Sequence, residues 1–223
     1  MSLRQHPDHG NLKVLENALM TSALTKLRNK YTTDENFALI ASRMAPFVVF
    51  EALHDFPLGE KYIETPVASM KAATLDGTKI SLVSILGAGQ ALLHNVRQTL
   101  LPWASESYIA ASRDEKSFQP TLHYERLPED LSDSLTVVLD PMLATGGSSS
   151  AVIQLLKDCC GARNIILVCI VAAPEGVSLI KKEHPKVRIV TVALDQGLTD
   201  DKFITPGLGD FGDRFTGVTP RKK

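Results

Sequence analysis

The chain has 223 residues, 44% of them hydrophobic and 22% charged, and its 24 basic and 25 acidic side chains leave a formal charge of −1. At roughly 150 residues per domain that is one large domain, or one with an appended subdomain, and it can bury a core without disulfides or metal staples. The balanced charge excludes a broad nucleic-acid-binding face and an acidic disordered chain, so any anionic ligand must be met by a few placed groups.

The first ten residues, MSLRQHPDHG, lack the apolar core of a signal peptide. The first third of the chain reads as helical. Asp34 is placed to cap a helix through Leu53, with Phe37, Ile40, Ala41, Met44, Phe47 and Val48 near helical spacing. Pro46 predicts a kink or a break in it. Short runs rich in Val and Ile follow at Ile80–Leu86, Tyr108–Ala111, Leu135–Leu139, Ile165–Ala172 and Val187–Ala193. Helical segments at Gln90–Leu100, Ser148–Cys160 and Glu175–Glu183 separate most of them. This alternation predicts an α/β fold with a mostly parallel sheet. In the middle helix Ala151, Val152, Leu155, Leu156 and Cys159 are expected on the buried face, and Gly161 as its stop. Phe118–Arg126 reads as extended. Trp103, after Pro102, reads as a packing residue.

The longest apolar run, Ile165 to Ala173, is too short to span a bilayer. Cys159, Cys160 and Cys169 have no zinc-knuckle spacing and suit a reducing compartment. The expected location is cytoplasmic, away from membrane and nucleic acid. The stretch Gly197 to Gly217 holds Gly197, Gly207, Gly209, Gly212 and Gly217 with four aspartates, and Asp195 just precedes it. Such a loop is expected to pack poorly and to let backbone approach a ligand.

The segment Leu135-Thr-Val-Val-Leu-Asp140-Pro141-Met142-Leu143-Ala144-Thr145-Gly146-Gly147-Ser148 carries the most chemistry. An apolar strand ends at Asp140, a glycine turn follows, and a helix begins. Successive N–H groups in such a turn make an anion nest, which the Thr145 and Ser148 hydroxyls can supplement. Asp140 can accept from a ribose hydroxyl. The bland alternative is an ordinary strand-to-helix turn with Ser148 as the cap. No Gly-Lys-Ser or Gly-Lys-Thr follows the glycines, so it is not a Walker loop.

The same run resembles the phosphoribosyl pyrophosphate (PRPP) loop of the uracil phosphoribosyltransferases. Five more segments fit that family in order: Leu24-Thr-Lys-Leu-Arg28, Arg113-Asp114-Glu115, Tyr124-Glu-Arg-Leu-Pro128, Val171-Ala-Ala-Pro174-Glu-Gly176, and Ile204-Thr-Pro-Gly-Leu-Gly209-Asp210-Phe211-Gly-Asp-Arg214. The last resembles eukaryotic members. The resemblance implies a type I phosphoribosyltransferase fold, a single domain over 1–223, and a hood from about 116–128 and 195–217. It implies a glycosyltransferase (pentosyltransferase) that joins uracil to PRPP, giving UMP and pyrophosphate in pyrimidine salvage. On it, residues Asp140 to Ser148 cradle the ribose and 5′-phosphate, and Arg113 binds the pyrophosphate side. Asp210 faces the Mg2+ complex of PRPP, directly or through water. Ile204, Gly209 and Phe211 read uracil by main chain beside Asp210. Asp210, Arg113 and Asp140 are the implied catalytic residues. A homodimer or homotetramer is implied, with GTP as an effector of some members.

One motif departs from the family. The loop after the first parallel strand usually reads Leu-Arg-Ala-Gly; here it is Leu86-Gly87-Ala88-Gly89. A fixed charge on the pyrophosphate side is gone, and Arg97 is the nearby candidate to replace it. The alternative is a catalytically impaired relative that senses a ligand or binds a partner. Gly87-Ala-Gly89 also resembles part of a dinucleotide fingerprint, but the third glycine and the later acid are missing.

Overall fold

The structure is a computed structural model that describes residues 2–113 and 120–218. Strands β1 (Ser2–Gln5) and β2 (Leu12–Glu16) form an N-terminal hairpin, followed by helices α1 (Ala18–Arg28) and α2 (Asp34–Ala52) and a second hairpin, β3 (Gly59–Glu64) and β4 (Ser69–Thr74). The alternating body runs β5 (Lys79–Ile85), α3 (Gln90–Thr99), β6 (Ser105–Arg113), β7 (Pro120–Arg126), β8 (Ser134–Leu139), β9 (Met142–Leu143), α4 (Gly147–Cys160), β10 (Asn164–Val168), β11 (Val171–Ala172), α5 (Pro174–Glu183) and β12 (Arg188–Thr191). The short pieces β13 (Ala193–Leu194), β14 (Gly197–Leu198), β15 (Ile204–Thr205) and α6 (Phe211–Thr216) end it.

The central sheet has the order β1-β2-β12-β10-β8-β5-β6-β7. Its inner pairs are parallel, and only the outermost pairs, β1–β2 and β6–β7, are antiparallel. Every residue of β8, Ser-Leu-Thr-Val-Val-Leu, is buried, as a strand covered on both faces requires. Leu135, Val137 and Leu139 pack in one core with α1, α2 and α3, while Val138 packs in the other with α4 and α5. Burial of each such Leu or Val contributes roughly 1.5–3 kcal/mol. Helices therefore cover both faces of a mostly parallel sheet.

Strand β5 crosses through α3 to β6 on one side. Strand β8 crosses through α4 to β10 on the other. Because β5 and β8 are neighbours, their exit loops diverge and open a crevice at their carboxyl ends. The alternation of buried strand and helix locates β5, α3, β8 and α4 within a residue, whereas Tyr108–Ala111 is only the middle of the longer β6, and Ile165–Ala172 is broken after Val168 into β10 and β11.

Several details differ from expectation. The N-terminal third is not purely helical, since it holds two hairpins. Thr33, not Asp34, caps α2, accepting from the Asn36 N–H, and Asp34 begins its first turn. Helix α2 runs unbroken through Pro46, with Val48 and Val49 on either side of the next turn fully buried. On α4 the buried cysteine is Cys160, and Cys159 is exposed, while Ile153 is buried. Burial pushes the thiol of Cys169 up to about 12, so that side chain serves packing. Trp103 is 58% exposed and does not pack in the core. The stretch expected to pack poorly buries Ile204, Leu208 and Phe211. Phe211 meets the Phe37 ring edge-on at 5.1 Å and stacks on Phe215 at 6.0 Å.

Candidate active site

The crevice between β5 and β8 is a cavity of about 240 Å³, lined by Ile85, Leu86, Ala88, Asp140, Met142, and Ala144 through Ser149. Residues Met142 and Leu143 form β9, which pairs in parallel with β11. Pro141 gives its carbonyl to Ile170 and Val171, and Leu143 gives its carbonyl to Ala173. Pro141 and Leu143 thus lie behind the cavity and fasten the loop, while the residues from Ala144 onward form its wall.

The wall is a helix N-terminus. Gly146, at φ +80, is the N-cap of α4 and supplies no side chain, so Ser148 is not the cap. Among the described residues, one side chain accepts from a backbone N–H of this turn, the Thr145 hydroxyl, at a long 3.4 Å from the Gly147 N–H. The remaining first-turn N–H groups have no capping side chain, and the helix dipole favours negative charge there. A second close approach fixes the turn: a Cβ on Gly176, at the start of α5, would lie 2.5 Å from the Ala144 carbonyl oxygen.

Asp140 stands at the bottom of this wall. Its Oδ2 accepts from the Ser149 hydroxyl at 2.6 Å and its Oδ1 from the Met142 N–H at 3.4 Å. Burial pushes its carboxyl above the ordinary 3.8, against those two bonds, which pull it down. Among the described residues no cation pairs with it, and a carboxylate so placed is ready to receive hydroxyl donors.

A second cavity of about 250 Å³ adjoins the first and shares Met142 and Ala144 with it. Its other lining residues are Asp201, Lys202, Phe203, Ile204, Gly209, Asp210 and Phe211. All four residues expected near the base are therefore brought together, beside the phosphate loop. Asp210 caps α6, its Oδ1 accepting from the Asp213 N–H at 2.9 Å. Its Oδ2 is the oxygen left for solvent or a ligand. A larger cavity of about 620 Å³ lies by the N-terminal hairpin, around Arg4, His6, Glu16 and Leu194. It lacks a strand-to-helix nest, so size alone does not select it.

A family model described as uracil phosphoribosyltransferase matches residues 14–217. The chain belongs to the uracil phosphoribosyltransferase family. It is 42% identical to the uracil phosphoribosyltransferase of Bacillus cytotoxicus over 94% of this chain and 99% of that one. It is 40% identical to the uracil phosphoribosyltransferase of Paracoccus denitrificans over 93% and 98%. Among solved structures, the AQ2163 protein of Aquifex aeolicus is 31% identical with a TM-score of 0.85, over 93% of this chain and 99% of that one. Adenine phosphoribosyl transferase of Trypanosoma brucei shares the fold, with a TM-score of 0.56 at 16% identity over 91% and 90%. The mostly parallel α/β sheet is that of type I phosphoribosyltransferases.

Against the family pattern, Gly87 is the notable difference. It sits at φ +101, with nothing within 4 Å of where a Cβ would stand. Ala88 lines the crevice, and Gly87 and Gly89 stand in the same turn, Gly89 opening α3. Arg97 does not replace the missing charge. It lies in the last turn of α3, at the far end from the crevice, and pairs with Glu106 at 3.3 Å near the start of β6. Arg113 ends β6, with its backbone paired to Pro120. Its side chain, like Asp114 and Glu115, lies outside the described residues.

Two arginines hold the base-side loop of this uracil phosphoribosyltransferase family member: Arg28, which sequence reading leaves without a role of its own, and Arg214, which it offers as a structural partner of Asp210 or Asp213. Arg214 pairs with neither Asp210 nor Asp213. It donates to the carbonyls of Leu27 at 2.5 Å, Leu208 at 2.7 Å and Asn29 at 2.9 Å, with its guanidinium 4.3 Å from the Phe37 ring centre. Arg28 grips both carboxylate oxygens of Asp195 at 2.6 and 2.7 Å. The segment motif around Arg28 was the one signal that could have found it.

Proposed function

We propose that the chain is a working uracil phosphoribosyltransferase that converts uracil and PRPP to UMP and pyrophosphate. The observation that carries this reading is the pair of adjoining cavities. One is walled by a helix N-terminus suited to a phosphate, the other by a glycine-rich loop suited to a flat base, and Met142 and Ala144 stand between them. Two reactants held side by side in fixed orientation turn a bimolecular step into an effectively unimolecular one.

In this reading the 5′-phosphate lies against the N–H groups of Thr145 to Ser148, and Asp140 accepts from the ribose hydroxyls. The uracil edge meets the backbone of Ile204, Gly209 and Phe211. The ring nitrogen bonds to ribose C1 as the C1–oxygen bond to pyrophosphate breaks, and the proton it carried passes to water or to the departing pyrophosphate. Positive charge that develops on the ribose is balanced by the Asp140 carboxylate. Arg113 binds the pyrophosphate side. The single domain spans 1–223, with 195–217 as a hood over the base. The other hood segment, 116–128, includes β7, the antiparallel edge of the main sheet.

The residues present fit magnesium that arrives on the substrate. Among the described residues no three His, Cys, Asp or Glu side chains gather to hold a metal by themselves. Asp210 is exposed with one oxygen committed to capping, which suits contact through a retained water. Magnesium, when bound, offsets the negative charge of the leaving group. Among the described residues no helix is long and apolar enough to cross a membrane. We place the protein in the cytoplasm, as a homodimer or homotetramer, with GTP as a candidate effector.

The test is turnover: UMP formed from uracil and PRPP with magnesium, at millimolar substrate. Conversion is expected. Absence of UMP would overturn the enzyme reading in favour of a ligand sensor on the same fold.

A further inference from the structure

The loop proposed to read uracil is held by a feature remote from it in sequence. Asp195 is almost completely buried at its carboxyl, with 5% of its side chain exposed. Its two oxygens are bridged by the Arg28 fork, and Oδ2 also accepts the Gly207 N–H at 2.9 Å. The same Arg28 donates to the Gly207 carbonyl at 2.7 Å. The pair therefore holds both backbone polar groups of one residue.

That residue is the tightest point of the base loop. Gly207 sits at φ +56, and a Cβ there would come 2.0 Å from the Ile204 carbonyl oxygen. It lies between Ile204 and Gly209, two of the residues that line the second cavity. The other end of the clamp is referenced to the phosphate side. The Asp195 N–H donates to Ala172 at 2.8 Å, Ala172 belongs to β11, and β11 pairs with β9. Met142 of β9 lines both cavities.

We infer that Arg28 and Asp195 are positioning residues that set where the base loop presents its backbone relative to the bound ribose phosphate. They touch neither reactant. This rests on the reading above, that Ile204 to Phe211 receives uracil. A guanidinium fork is needed, because a lysine at position 28 keeps the charge but cannot grip two carboxylate oxygens and a carbonyl together.

The experiment compares Arg28→Lys, Arg28→Gln, Asp195→Asn and the Arg28→Gln/Asp195→Asn double variant with wild type. It measures KM for each substrate, uracil binding by calorimetry, and thermal melting. The expected result is a uracil KM raised about tenfold or more by Arg28→Gln, and less by Arg28→Lys, with the PRPP KM unchanged. The double variant should be no worse than the poorer single one, since both break one unit. Equal rises in both KM values, or lowered melting with uracil KM untouched, would overturn the inference. So would loss of cooperative melting in all variants, which would make the pair a folding element. Wild type that binds uracil but does not turn it over would sink the enzyme reading alone, and binding unchanged in the variants would sink the positioning role alone. No uracil binding by wild type would remove both.

Discussion

The two halves of the site are built in opposite ways. The phosphate side is local: a strand, a nine-residue run from Asp140 to Ser148, and the helix that follows it in the chain. Its groups are backbone N–H donors aimed by a helix, backed by the β9–β11 ladder. The base side is assembled from afar. Its loop hangs on Arg28 and Arg214, which reach across 179 positions to Gly207 and 187 positions to Leu27. Backbone geometry is written in short motifs, whereas a clamp between distant segments is written only in the fold.

If that contrast is right, losing Arg214 harms the base side most. Arg214→Ala removes the donors to Leu27, Leu208 and Asn29, and it should cost about 3 kcal/mol of stability, read as a lower denaturant midpoint. An unchanged midpoint would mean that the base loop is not held from α1. Asp140→Asn should behave in the opposite sense on the phosphate side. Activity should fall about a hundredfold, yet stability at neutral pH should hold or rise. The sign follows from the raised carboxyl, because the folded state takes up its proton more readily than the unfolded one. Wild-type stability therefore declines as pH rises from the ordinary 3.8 through the folded value. The variant's advantage should vanish below that window, as melting scans from acid to neutral pH will show.

A smaller effect separates the two cavities. In Gly176→Ala the added methyl meets the Ala144 carbonyl, so the loop must shift, at about 1–3 kcal/mol. PRPP KM should rise more than uracil KM. The smallest net change is expected for Gly87→Arg. Restoring the charge should lower PRPP KM by about tenfold, while the left-handed backbone at this position should cost roughly 1–2 kcal/mol of stability, read separately by melting. An unchanged PRPP KM would mean that the charge is not missed there.

The same contrast explains what could be read beforehand. Strands β5, β8, β10 and β12 are apolar on both faces, and the helices between them repeat every three to four residues, so periodicity found them. The hairpin β3–β4 escaped because every residue of β3 is exposed and offers no apolar pattern. Strands β1 and β2 escaped because Arg4, Gln5 and Lys13 interrupt them. The buried cysteine of α4 was misplaced by one position, since Cys159 and Cys160 adjoin and a small error in helix phase exchanges them. Asp140 and the glycine turn were legible because the chemistry is contiguous. Arg28 was visible only as part of a motif, and its partner 167 positions away gave no local signal.

The span of the Arg28–Asp195 clamp also bears on how the molecule comes into being. During synthesis the chain emerges from its amino end, and segments fold as they become available. Strands β5 and β8, the turn after them, and the β11 and α5 segments that brace it are complete by about Glu183, so a nascent chain holds the parts of a phosphate pocket while Asp195 and Gly207 are still unmade. Arg28 waits for partners made 167 and 179 positions later. A ribosome halted between those points would carry a half-site that can grip the sugar phosphate before it has any means to read a base.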